Sequence, residues 1–224
     1  MKKFLEIQTP VTPDIEDFIN ALLRLNSFET FVLEENGGLD PVFVAQMVHT
    51  RTGKEIFLKL SCRDRNRIAL HSRLLTAAAA GFTNLVISDG AHPALTAFPS
   101  AKPVYELDSL SLLRALRNSF SEMSGAPLAS VKWTVAASIG GATSADIARA
   151  RKFIHADVDQ FFVRSVEAIQ KLRRVTDKPI ILSVMHECAP DVGEIIREAR
   201  EAGAAGVNLI VTDLERILDG TFAA

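Results

Sequence analysis

The sequence predicts an α/β fold, a compact (β/α)8 TIM barrel with residues 1–224 as one domain. Three observations carry this. Short apolar, β-branched runs recur eight times, segments with helical spacing of apolar residues lie between them, and no shift of composition divides the chain. At about 28 residues per unit, the repeat fits a barrel and leaves little length for a second domain.

The first run is "KFLEIQT" (3–9), followed by the helical pattern of "PDIEDFINALLRL". "ETFVLEE" (29–35) precedes "DPVFVAQMVH", and "EIFLKLS" (55–61) precedes "NRIALHSRLLTAAAAG", in which Asp or Asn stands where an N-cap belongs. "NLVISDG" (84–90) leads to "SLSLLRALRNSF", "WTVAASI" (133–139) to "SADIARARKFI", and "DQFFVRS" (159–165) to "VEAIQKLRRV". "PIILSVM" (179–185) precedes "PDVGEIIREAREAG", and "GVNLIVT" (206–212) completes the count, with a helix expected after it as after each strand. Strands that alternate with helices pair in parallel, because each connection crosses back over the sheet.

Composition narrows the function. With 48% apolar and 23% charged residues the chain can bury a sizeable core, and a formal net charge of −2 offers no basic field for nucleic acid. Cys62 and Cys188 lie far apart behind the charged start "MKKFLEIQTP", which points to a reducing cytosol, and no apolar run is long enough for a membrane helix.

Barrel active sites gather at the C-terminal ends of the strands. Alternation along a strand places Glu6 and Gln8 on one face of strand 1 and Lys59 and Ser61 on one face of strand 3, with Leu58 and Leu60 turned to the helices. The four polar residues are therefore expected to line one pocket, with Asp89 and Gln160 on its rim. Glu6 is costly to bury unless used or paired, and Lys59 either pairs with it, reaches solvent or takes an active role. Arg63, Asp64, Arg65, Asn66 and Arg67 form either a ligand loop or an ion-pair network that caps the third helix through Asn66. Gly140 and Gly141 before a helix start offer a phosphate cradle or simply a tight turn, with Ser138 just upstream. His186, Glu187 and Cys188 lack the repeated spacing of metal ligands, and no metal is assigned.

"LKLSCRDRNRIALHSRLLTAAAAGFTNLVISDG" (58–90), "FLEIQTP", "PVYELDSLSLLRALR" and "GAAGVNLIVTDLERI" together resemble the methylenetetrahydrofolate reductase family, with "CRDRNR" as the most specific part. The resemblance implies reduction of 5,10-methylenetetrahydrofolate to 5-methyltetrahydrofolate in one-carbon metabolism, with FAD as cofactor and a reduced folate as substrate or ligand. It gives Glu6 and Lys59 catalytic roles, with Glu6 at the position of the acid that serves proton transfer. Gln8, Ser61, Asp89, Gln160, Phe162 and Asn208 become folate-binding candidates, with core packing an equal reading for Gln160 and Phe162, and Arg63, Asp64, Ser138, Gly140 and Gly141 flavin-binding ones. The sequence departs from the family at Lys59 (a His there), Ser61 (Thr), Ala91 (Asp) and Asn208 (His), which favours the folate side over the flavin side. An electron-donor or methyl-transfer protein partner and a homo-oligomer belong to the same expectation. Two alternatives stand beside it: a non-reducing folate-binding subunit or methyl-transfer component, and an unrelated small barrel lyase using Lys59, for instance through a Schiff base.

Overall fold

A computed structural model describes residues 1–35, 37–117, 128–185, 192–212 and 214. Eight parallel strands close into a barrel in sequence order, β1 pairing with both β2 and β8. They are β1 (Lys2–Gln8), β2 (Thr30–Glu34), β3 (Glu55–Ser61), β4 (Asn84–Ser88), β5 (Thr134–Ile139), β6 (Gln160–Val163), β7 (Ile180–Met185) and β8 (Gly206–Val211). Seven helices follow the first seven strands: α1 (Glu16–Leu23), α2 (Pro41–Thr52), α3 (Arg67–Ala79), α4 (Ser109–Arg117), α5 (Ser144–His155), α6 (Val166–Arg173) and α7 (Val192–Glu201). The helix expected after the eighth strand lies outside the described residues. So do His186, Glu187 and Cys188.

Local chemistry starts the helices where the sequence places their caps. Asp40 accepts from the amides of Val42 and Phe43 with Pro41 at the first helical position, and Asn66 accepts from Ala69 at 2.9 Å. Thr143 and Asp146 form a reciprocal capping box at the start of α5. Gly53 ends α2 with a left-handed φ of 65°, a conformation that costs a side-chain-bearing residue energy.

Alternation along the strands divides the core in two. Leu5, Ile7, Phe31, Leu33, Leu58, Leu60, Leu85 and Ile87 face outward and pack with the helices in a single large cluster. Phe4, Val32, Phe57, Val86, Ala136, Phe162 and Ile181 face inward and plug the barrel, with the Phe4 ring edge-on to Phe57 and Phe162 at 5.8 and 5.5 Å. Two residues further along each odd strand stand Glu6, Lys59, Ser138 and Ser183, so the barrel changes from apolar to polar within one layer, toward the C-terminal ends. At the other end, Glu55 accepts from Thr30, Asn84 and Lys2, a polar network that closes the bottom of the barrel.

Among the described residues no helix is long and apolar enough to cross a membrane.

Candidate functional site

The polar layer is organised around one ammonium. Lys59 Nζ lies 2.5 Å from Glu6 Oε1 and 2.8 Å from Glu34 Oε1, and the strand register explains why: Glu34 is the cross-strand neighbour of Lys59, and Gln8 that of Glu34. Their side chains are 12%, 3% and 30% exposed for Lys59, Glu6 and Glu34, so solvent reaches the cluster mainly through Glu34. Burial alone would lower the Lys59 pKa. The Glu6 and Glu34 carboxylates outweigh it and hold the amine above lysine's ordinary 10.5, so it is an ammonium at neutral pH.

Glu6 is fixed from its other side as well. Asn208 Nδ2, fully buried on β8, donates to Glu6 Oε2 at 2.6 Å and to Ser183 Oγ at 3.1 Å. Because Glu6 offers only acceptors here, the amide group must face it and the Asn208 carbonyl must turn away. That carbonyl oxygen is buried without a hydrogen-bond partner among the described residues, which costs about 1–3 kcal/mol for a neutral polar group. A line of contacts thus runs from Glu34 through Lys59, Glu6 and Asn208 to Ser183.

Of the predicted site residues, the structure brings together Glu6, Lys59 and Asn208. Ser61 is half-buried one turn of the strand further out, where it accepts from the Arg63 amide at 3.4 Å and lines a separate cavity of about 310 Å³ with Arg63, Asp64, Arg65 and Lys102. Gln8 points to the same side but is exposed at the strand's end. Ser138 is half-buried in the polar layer.

Other expectations need correction. Gln160 opens β6 at its N-terminal end, below the Phe162 plug, and so cannot sit on the rim of the mouth. Phe162 belongs to the apolar plug itself. Asp89 turns away from the pocket: its carboxylate accepts from the Ser109 amide at 2.8 Å, the Ser109 hydroxyl at 2.7 Å and Arg149 at 2.5 Å, tying the end of β4 to α4 and α5. At Gly140 and Gly141 the Asp146 carboxylate takes the place an anion would need, accepting from the Thr143 amide at 3.0 Å. The charged loop after β3 is the ion-pair network: Arg63 pairs with Asp64, Arg65 with Glu35 and Arg67 with Glu106, while Asn66 caps α3.

The residue that sequence reasoning missed is Glu34. The signal was available, because alternation on β2 places Thr30, Val32 and Glu34 inward just as it places Phe57 and Lys59 on β3.

A second cavity, of about 350 Å³, opens beside the cluster between the ends of β6, β7 and β8 and helix α7. Ser183 forms part of its floor, and Arg164, Met185, Ile195, Glu198 and Ile210 are among its walls.

No protein-family model matches the chain, and no curated protein matches it by sequence. Solved structures match by fold. Oxaloacetate acetylhydrolase superposes with a TM-score of 0.63 at 13% identity, over 97% of this chain and 78% of its own. The trigonal form of 2,3-dimethylmalate lyase, described as a PEP mutase/isocitrate lyase superfamily member, gives 0.62 at 16% over 93% and 74%. Tryptophan synthase from M. tuberculosis gives 0.63 at 13% over 98% and 87%. At such identities the likeness establishes the barrel.

These findings overturn the expectation of a methylenetetrahydrofolate reductase with folate and FAD. No model of that family matches, and the structural neighbours are a hydrolase, a lyase and a synthase of other families. The physical reason is visible in the motifs. "CRDRNR" is consumed by loop ion pairs and a helix cap, and both Glu6 oxygens accept from neighbours instead of facing a ligand with a proton to give.

Proposed function

We propose that the protein is a barrel lyase that breaks a bond beside a carbonyl or carboxylate group, with Lys59 acting as a fixed ammonium. The observation that carries this is the buried Lys59 held between Glu6 and Glu34 at the C-terminal face of the barrel. A cation excluded from bulk water is well placed to stabilise negative charge that develops on a substrate oxygen. Glu34, the more exposed carboxylate, is the group able to take a proton from a substrate hydroxyl. As that proton leaves, the carbon–carbon bond next to the hydroxyl carbon breaks, a carbonyl forms, and the electron pair passes to an enolate whose oxygen Lys59 stabilises. Glu34 then returns its proton to the enolate carbon. Glu6, held at both oxygens, is a positioning residue that keeps the ammonium in place. Support for small hydroxy- or oxo-acids as substrates comes from the names of two fold neighbours, 2,3-dimethylmalate lyase and oxaloacetate acetylhydrolase.

The same geometry disfavours the Schiff-base version of a lysine-dependent lyase, since an ammonium held by two carboxylates is not a nucleophile. The test is a screen of C–C cleavage with hydroxy- and oxo-acids, run with borohydride trapping. Cleavage of one such acid, lost in Lys59→Met and leaving no borohydride-stable adduct, supports the reading. A covalent adduct at Lys59 refutes the ammonium role, and cleavage undiminished in Lys59→Met refutes the site.

A further inference from the structure

The cavity beside the cluster is lined by two charges of opposite sign that stay unpaired among the described residues. Arg164 stands at the end of β6, one residue past the strand, and Glu198 stands on α7. Both line the cavity, yet they form no ion pair with each other, and neither has a side-chain hydrogen bond or ion pair among the described residues. On α7 Arg197 pairs with Glu194 and Glu201, and on α6 Lys171 pairs with Glu167. Between Arg164 and Glu198 the walls are apolar, with Leu182, Ile195 and Ile210 among them. The floor carries one hydroxyl, Ser183, whose oxygen accepts from Asn208 and whose own proton has no acceptor among the described residues.

We infer that this cavity binds a small zwitterion with an apolar body, an aliphatic α-amino acid, its carboxylate on Arg164 and its ammonium on Glu198. Each alternative class leaves something unmatched. A simple carboxylic acid would satisfy Arg164 and place no cation at Glu198. A phosphate ester would bring two negative charges into a cavity that is also lined by the Glu198 carboxylate. A purely apolar ligand would leave both charges and the Ser183 proton unsatisfied. The volume, about 350 Å³, lies at the small end of ligand pockets, roughly 300–1,000 Å³, and has room for an amino acid. Ser183 adds a donor for a carboxylate oxygen and links the cavity through Asn208 to Glu6.

The site uses neither Lys59 nor Glu34, although Ser183 and Asn208 connect it to Glu6, and its test needs no turnover. Calorimetric titration of the full chain compares L-leucine with 4-methylpentanoate, which lacks the ammonium, and with 3-methylbutylamine, which lacks the carboxylate. Leucine is expected to bind at least tenfold more tightly than either. Arg164→Gln is expected to weaken leucine and 4-methylpentanoate, each by about tenfold, and Glu198→Gln to weaken leucine by a similar factor while sparing 4-methylpentanoate. Both residues are exposed, so these variants should fold, and Ile195→Trp, which fills the cavity, supplies an independent block. Binding of 4-methylpentanoate as tight as that of leucine overturns the zwitterion assignment. No heat with leucine at millimolar concentration, or leucine binding unchanged in Arg164→Gln or in Ile195→Trp, overturns the site.

Discussion

Lys59→Met is the perturbation that most directly probes the cluster. It keeps most of the side chain's length and apolar contact but removes the ammonium 2.5 Å from Glu6 and 2.8 Å from Glu34. Glu6 is only 3% exposed, so the variant leaves a buried carboxylate with Asn208 as its one remaining donor among the described residues, a situation that costs about 3–5 kcal/mol. Glu34 is 30% exposed and water compensates it, so its share is at most about 1 kcal/mol. For a chain of this size each kcal/mol lowers Tm by roughly 2–4 °C, giving an expected fall of about 10 °C or somewhat more. Replacing both partners, as Glu6→Gln with Lys59→Met, removes the uncompensated charge and should recover most of the loss, to within about 1–2 kcal/mol of the starting protein. The measurement is urea unfolding of the four proteins of this double-variant cycle at pH 8. A Lys59→Met loss below about 1 kcal/mol at pH 8, or losses that simply add in the double variant, would show that the pair is not a buried, coupled unit.

The raised Lys59 pKa gives a second expectation: its stabilisation is complete below lysine's ordinary 10.5 and is lost as pH rises through the folded value, so alkaline unfolding should lack this component in Lys59→Met. Cys62 offers a third, because burial first, then the nearby Asp89 and Asp108 charges, push its thiol up to about 12. In a Cys188→Ser background it should react with a thiol reagent at pH 8 only after unfolding, and rapid native labelling would contradict its placement against the helix layer. Gly90 holds a φ of 84° and a Cβ there would collide with Ser61 Oγ, so Gly90→Ala should cost about 1–3 kcal/mol in chemical denaturation, and an unchanged midpoint would refute the strained turn.

Strand alternation made the barrel legible, since it needs only the order of residues within each run. The predicted ranges fall within two residues of the observed strands at every end, and the caps at Asn66 and Asp40 are where a short polar side chain precedes a helical pattern. The inward direction of Glu6 and Lys59 came from the same local rule. What failed was position along the barrel axis. Gln160 was expected on the rim but stands at the foot of β6, because alternation says which way a side chain turns and nothing about where its strand starts relative to its neighbours. Asp89 was placed on the rim for lack of its partners, Ser109 and Arg149, which lie 20 and 60 residues on and are brought to it only by the closed ring of helices.

Glu34 shows the same point from the other side. Nothing within "TFVLE" distinguishes an acid that ends a strand against solvent from one that grips a buried ammonium. Its role follows from register, which sets Glu34 beside Lys59 and leaves Glu6 one layer deeper. Register in turn depends on how eight strands share one shear around the barrel, a property of the closed sheet and of no single segment. The motif that looked most specific, "CRDRNR", lies in a loop where charge density is spent on Asp64, Glu35 and Glu106, whereas the groups that define the site sit singly on β1, β2, β3, β7 and β8. In a barrel the chemistry is distributed over strand ends, one residue from each, so a contiguous polar run is weaker evidence of a site than a lone charge at the correct height on an otherwise apolar strand.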